Sequence, residues 1–174
     1  MQSIIATTDD TVAITRLVNA AYRGAGGQLG WTHEGELMAG ERTKPDDVAD
    51  LIRSPSITVL IRRDAKRVLV GCIAIEIVGV DRCTISMLAV SPELQDSGLG
   101  RNLLADAEQF AIDKGLAVAD MTVVEQRESL ISWYGRRGYQ WNGKHKDFPY
   151  DANVGKPLRD DLRFVVLEKR LTPA

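Results

Sequence analysis

The sequence predicts a mixed α/β chain, read as one domain over residues 1–174, in which a three-stranded antiparallel meander precedes a strand–helix–strand unit. Three observations predict it. Between residues 57 and 90, β-branched and apolar runs are broken only by short turn segments. Helical spacing of apolar residues sets in at Leu99 and returns at Glu128. The 174 residues, 44 % apolar and 26 % charged, suffice for one hydrophobic core and leave little room for two.

The elements follow in order. Residues 2–7 are a short β-prone run. Asp9 or Asp10 can cap a first helix whose Val12, Ile14, Leu17, Val18 and Ala21 fall mostly on one side, and which ends before Gly24. The glycine-rich residues 24–30 read as a mobile loop, and 34–41 as a short helix. Pro45, Asp46 and Asp47 open another helix, with Val48, Leu51 and Ile52 as its apolar side. Residues 57–62, 68–78 and 83–90 are the meander strands, with turns at Asp64-Ala65-Lys66 and Asp81-Arg82. After a loop over 91–97, residues 99–114 form a helix burying Leu99, Leu103, Leu104, Ala107, Phe110 and Ala111, stopped by Gly115. Residues 117–124 are a strand, 128–137 a helix closed by Gly138, and 139–143 a short strand. Residues 145–160 read as a loop and 162–169 as a last strand; an exposed edge there would favour a homodimer.

Composition excludes several function classes. A net charge of −2 offers no basic face for nucleic acid. Cys72 and Cys83 lack CxxC spacing and read as buried free thiols of a reducing compartment. His33 and His145 have no partners at ligand spacing, so no metal is expected. No apolar run approaches the ~20 residues of a membrane span, and no secretory pattern opens the chain, so a cytoplasmic protein without a membrane partner is expected.

The most informative stretch runs from Leu88-Ala89-Val90 through Gln95-Asp96-Ser97 to Gly98-Leu99-Gly100-Arg101. A strand ends, a loop turns, and a helix begins at two glycines. The opening N–H groups of a helix lack internal acceptors, and the helix dipole adds about half a positive charge there. Such a place suits a phosphate or diphosphate. Gly98 and Gly100 let a ligand approach the backbone, and Arg101 adds a cation. A P-loop is excluded because Arg101-Asn102 stands where Lys-Ser/Thr is needed. A dinucleotide fingerprint is excluded because Leu103 replaces the third glycine and a meander precedes the loop, although Asp120 lies about 20 residues on.

Gln95-Asp96-Ser97-Gly98-Leu99-Gly100 resembles the Gln/Arg-x-x-Gly-x-Gly/Ala motif of the GNAT family of acyl-CoA-dependent N-acyltransferases. Leu88-Ala89-Val90-Ser91-Pro92 resembles that family's strand-to-loop passage, and Trp133-Tyr134-Gly135-Arg136-Arg137-Gly138-Tyr139 its aromatic-Tyr-x-x-x-Gly-Phe/Tyr segment. The resemblance implies a twisted, mostly antiparallel sheet flanked by helices, with a splayed strand pair that binds coenzyme A. It implies acetyl-CoA as cosubstrate, its pantetheine along residues 87–90 (Leu88, Ala89 and Val90 among them) and its diphosphate on the amides of Gln95, Asp96, Ser97, Gly98, Leu99, Gly100 and Arg101. The implied activity is transfer of an acetyl group to a primary amine of a small molecule or an exposed protein amine. A non-catalytic acyl-CoA-binding or sensing module is the alternative. Two positions depart from the family pattern: Asp96 stands where many members have glycine, and Arg127 where many have asparagine.

The chemistry needs a neutral amine and a protonated leaving thiol. An amine with a pKa near 10.4 is mostly charged at pH 7, a handicap of about 4–5 kcal/mol. Tyr134 is the candidate general acid, with helix packing as its alternative role. Thr84 stands where some protein-acetylating members place a glutamate base, which leaves Glu76, Glu125 or water. An amide near Leu88 or Ala89 would meet the oxyanion. Trp31, His33 and Glu34 would meet a cationic amine from the glycine-rich loop, and Arg42 an acid group on the same substrate.

Overall fold

The computed structural model describes residues 2–24, 33–150 and 155–172. In chain order the elements are β1 (Ile4–Ile5), α1 (Thr11–Arg23), β2 (Met38–Ala39), α2 (Pro45–Arg53), β3 (Ile57–Arg63), β4 (Leu69–Val78), β5 (Arg82–Val90), α3 (Leu99–Asp113), β6 (Val118–Val124), α4 (Glu128–Gly135), β7 (Gln140–Asp147), β8 (Lys156–Pro157) and β9 (Arg163–Arg170). Among the described residues, seven strands form one sheet in the order β1-β3-β4-β5-β6-β9-β7, and β2 pairs with β8 apart from it. All neighbours in the large sheet are antiparallel except β5 and β6. The mixed, mostly antiparallel sheet flanked by helices is therefore the one expected, and the meander is β3-β4-β5.

β4 shows why its sequence is almost continuously apolar. Ile73 and Ile75 enter the core under α3, together with Leu103, Leu104 and Ala107. Cys72 and Ala74 enter a second core on the other face, against Ile14, Leu17 and Val18 of α1. A strand covered on both sides alternates between two apolar layers, and its period-2 signal disappears. Arg62 further ties β3 to α3 through Asp106, 2.5 Å away.

Five expectations are corrected. Residues 34–41 form a turn followed by β2, because Met38 is drawn into a small cluster with Val124, Phe148 and Leu162. β7 runs on to Asp147, with Gly143 at φ 85° in an irregular stretch that preserves pairing with β9. β9 is an interior strand between β6 and β7, so the argument for a dimer through its edge fails. Asp10 does not cap α1 forwards. Its carboxylate accepts from the backbone N–H of Thr7 at 2.8 Å and pairs with Arg63. Val12 is exposed rather than part of the buried side. The loop expected over 24–30 lies, beyond Gly24, outside the described residues.

Candidate active site

β5 and β6 pair in parallel only at Arg82–Val118, Cys83–Ala119 and Thr84–Asp120, and from Ile85 onward they are no longer paired. The closed end of this fork is pinned. Arg82 bonds Asp120 at 3.2 Å and Glu168 at 2.8 Å, while the Thr84 hydroxyl donates to Asp120 at 2.7 Å. Asp120, which superficially suited a ribose-binding acid, is thus a strand clamp. Above the fork β5 carries a bulge: Cys72 pairs with Ala89 but Ala74 with Ser86, and Met87 takes φ 53°. The extra residue puts both Ile85 and Leu88 into the core under α3 and bends the strand. Nothing in the local sequence marks a bulge at a methionine.

At the open end of the fork, α3 begins. Gly98 has φ 81°, a left-handed conformation that glycine adopts without strain, and Gly100 is buried in the first turn. Leu99 anchors the turn in the core, and Gln95 orders the loop by donating to the Val90 carbonyl at 3.4 Å. The Ser97 hydroxyl donates to Leu94 within the loop at 2.6 Å. A cavity of about 380 Å³ opens over this turn, lined by Asp96, Ser97, Gly98, Gly100, Arg101, Trp133 and Arg137. Arg137 was missed as a binding residue, although its i,i+4 spacing from Trp133 was in view. Its guanidinium lies 3.4 Å from the centre of the Trp133 ring and donates to the Trp133 carbonyl at 2.6 Å. Its Nε is buried and has no hydrogen-bond partner among the described residues. Burial, then the cations of Arg136 and Arg101, push its pKa down. An anion in the cavity would offset the repulsion among these cations and favour the charged guanidinium. Asp96 adopts φ 69°, in the left-handed region that favours glycine, and it contributes a carboxylate to the same lining.

Between the diverging strands lies a second cavity, of about 140 Å³. Tyr134 of α4 reaches it from below, 7 % exposed and packed edge-on against Trp133 and Tyr139. Burial, with the Tyr22 hydroxyl as a lesser cause, raises its pKa well above the ordinary tyrosine value. It therefore stays protonated and can offer a hydrogen bond. Tyr22 of α1 donates to the Leu88 carbonyl at 3.1 Å, and burial pushes it up to about 12. Leu88 lines the cavity, while the side chains of Ala89 and Val90 are packed in the core.

Glu34 and Arg42 also line this cavity, as does Arg127. The Glu34 carboxylate is shared by Arg23 at 2.7 Å and Arg127 at 3.4 Å, so its charge is already neutralised toward an incoming cation. His33 instead covers Gly35, and Trp31 lies outside the described residues. Glu76 is exposed on β4, opposite Thr84 at the closed end of the fork. Glu125 is half-buried and held by Arg163 and, at 3.3 Å, by His145; the Arg163 hydrogen bond foremost lowers its pKa. Neither carboxylate is among the residues lining the cavity. The structure thus brings Tyr134, Leu88, Glu34 and Arg42 to one place and leaves Glu76, Glu125 and His33 outside it.

The fold is shared with solved structures of low sequence identity. The ribosomal-protein-S18-alanine N-acetyltransferase of Escherichia coli superposes with a TM-score of 0.73 at 16 % identity, over 99 % of this chain and 95 % of that one. YncA of Salmonella typhimurium, solved with its cofactor acetyl-CoA, gives 0.71 at 19 % identity over 100 % and 95 %. A spermidine N-acetyltransferase SpeG chimera from Vibrio cholerae and hSSAT gives 0.69 at 15 % identity over 98 % and 96 %. No curated protein gives a significant sequence match. A profile of the acetyltransferase (GNAT) family matches residues 30–139, more than half of the chain and the whole stretch from the fork strands to Tyr139. With that match and a forked sheet under a glycine-opened helix, the chain belongs to the GNAT acetyltransferase family and is an acyltransferase.

Proposed function

We propose that the chain transfers the acetyl group of acetyl-CoA to a primary amine, by direct attack of the amine on the thioester. The observation that carries this reading is the fork: β5 and β6 part between the anion-suited start of α3 and the protonated Tyr134. The residues present fit the coenzyme. Gly98 and Gly100 leave the first-turn amides open to a diphosphate, Arg101 and Arg137 supply cations, and the buried Nε of Arg137 awaits an acceptor. The edge of β5 beyond Ile85 is free of β6 and can receive an amide-bearing arm.

Bound acetyl-CoA would supply an activated acyl group whose carbonyl carbon bonds to the amine while its sulfur departs. Tyr134 then donates its proton to the departing sulfur, and recovers one from the proton shed by the amine. A backbone N–H of β5 near Leu88 meets the charge growing on the carbonyl oxygen. The cavity also helps neutralise the amine. Arg42 and Arg127 line it, Arg23 stands behind Glu34, and this excess of positive charge disfavours an ammonium. That lowers the need for a dedicated base. Glu125 is a weak one, because its ion pairs hold its pKa down, so water is the favoured proton acceptor.

The test is release of free thiol from acetyl-CoA with a broad panel of amines, with the acetylated product identified by mass. Amine-dependent release supports the reading. Coenzyme binding without transfer to any amine would replace it with a non-catalytic acyl-CoA-binding module.

A further inference from the structure

The charges around the acceptor cavity select among amines. Resting on the acetyltransferase reading above, we propose that the acceptor is a small amine that also carries an acid group, of the amino-acid class, and that Arg42 receives that acid. Four observations converge on it. The acid of the cavity, Glu34, is paired to Arg23 and Arg127 and offers no spare negative charge to a second ammonium. Arg42 is a lining cation, half-buried, for which no carboxylate partner occurs among the described residues. It is held in place: its guanidinium lies 5.5 Å from the centre of the Tyr22 ring, and its backbone N–H donates to Asn19 at 2.7 Å. Tyr22 in turn bonds the Leu88 carbonyl, so the cation stands beside the strand that faces Tyr134.

A half-buried guanidinium without a counterion among the described residues is costly, and a planar carboxylate is the ligand it matches in two parallel hydrogen bonds. A polyamine would meet the opposite, a cavity lined by more cations than anions. Arg42 is here a specificity-determining residue; it binds the acceptor and takes no part in proton transfer.

The experiment measures thiol release with acetyl-CoA and the protein amino acids, each against its α-carboxamide, with spermidine alongside. A carboxylate raises the pKa of the neighbouring amine and so makes it the poorer free nucleophile. Preference for the acid therefore has to come from binding. The expected result is at least one amino acid whose kcat/KM exceeds that of its carboxamide by about ten- to a hundredfold, the range of a charge-assisted hydrogen bond. R42Q should bring that ratio down by about tenfold, and R42K should restore part of it. Faster transfer to spermidine or to the carboxamides overturns the proposal, and so does a ratio unchanged by R42Q. The wild-type ratio decides the matter even if R42Q fails to fold. Release with none of these acceptors, while acetyl-CoA still raises the melting temperature, overturns the acceptor class and leaves coenzyme binding standing. Absence of both removes the acetyltransferase reading and this inference with it.

Discussion

Tyr134 is where burial and chemistry meet. Its side chain is 7 % exposed, and desolvation holds its proton on well above the ordinary tyrosine value. A raised pKa preserves the protonated form as pH rises, so the donor survives through the alkaline range in which the amine becomes neutral. The pH profile of kcat/KM should rise with amine deprotonation and show no descending limb below roughly pH 10; a fall centred near pH 8–9 would assign the acid elsewhere. Tyr134→Phe should lower kcat by about 10²–10⁴-fold with little change in KM for acetyl-CoA, since packing against Trp133 and Tyr139 is retained. Asp96 is strained in the opposite sense. It holds φ 69° without being glycine and adds a carboxylate to an anion cavity. Asp96→Gly should relieve about 1 kcal/mol of backbone strain, worth about 2–4 °C in melting temperature. It should also tighten acetyl-CoA binding several-fold by calorimetry, by removing like-charge repulsion on the order of 1 kcal/mol.

The fork between β5 and β6 owes its closed end to side chains. Arg82, Thr84, Asp120 and Glu168 tie three strands together just where pairing stops. Asp120→Ala would leave Arg82 and Thr84 each short of a partner, at a cost of about 1–3 kcal/mol, read as a lower melting temperature. The clamp is also acid-sensitive. The Arg82 hydrogen bond lowers the Glu168 pKa below its ordinary 4.5. A folded-state pKa below the unfolded one contributes stability above pH 4.5 that is lost as pH falls through the folded value. Melting temperature should therefore decline with acidification below that point, and less steeply in Glu168→Gln.

Across the whole molecule, the proposed coenzyme path touches both halves of the chain: β5 of the meander, the start of α3, and α4 beyond β6. A ligand that bridges them stabilises the fold as a unit. Acetyl-CoA at 100 times its Kd should add about 2.7 kcal/mol, or roughly 5–10 °C in melting temperature. The transition should remain single if residues 1–174 unfold as one domain, and two resolved transitions, only one of them moved by acetyl-CoA, would divide it.

The sequence by itself determined the order of elements from Pro45 to Tyr139, the glycine-opened helix and the tyrosine behind it. Those features are local: a capping proline, apolar spacing, a glycine pair and an aromatic segment at fixed distances. It misread 34–41, because Met38 is recruited into a strand by Val124, Phe148 and Leu162, which are distant in the chain. It placed the strand at 163–170 at an edge, because strand order is set by pairing among segments and not by position along them. It set Glu34 against a cationic amine and did not see Arg23 and Arg127 close on it. Only the tertiary structure decided which charges cancel and which remain, since that depends on distances between residues up to 93 positions apart, and a Coulomb energy follows separation in space.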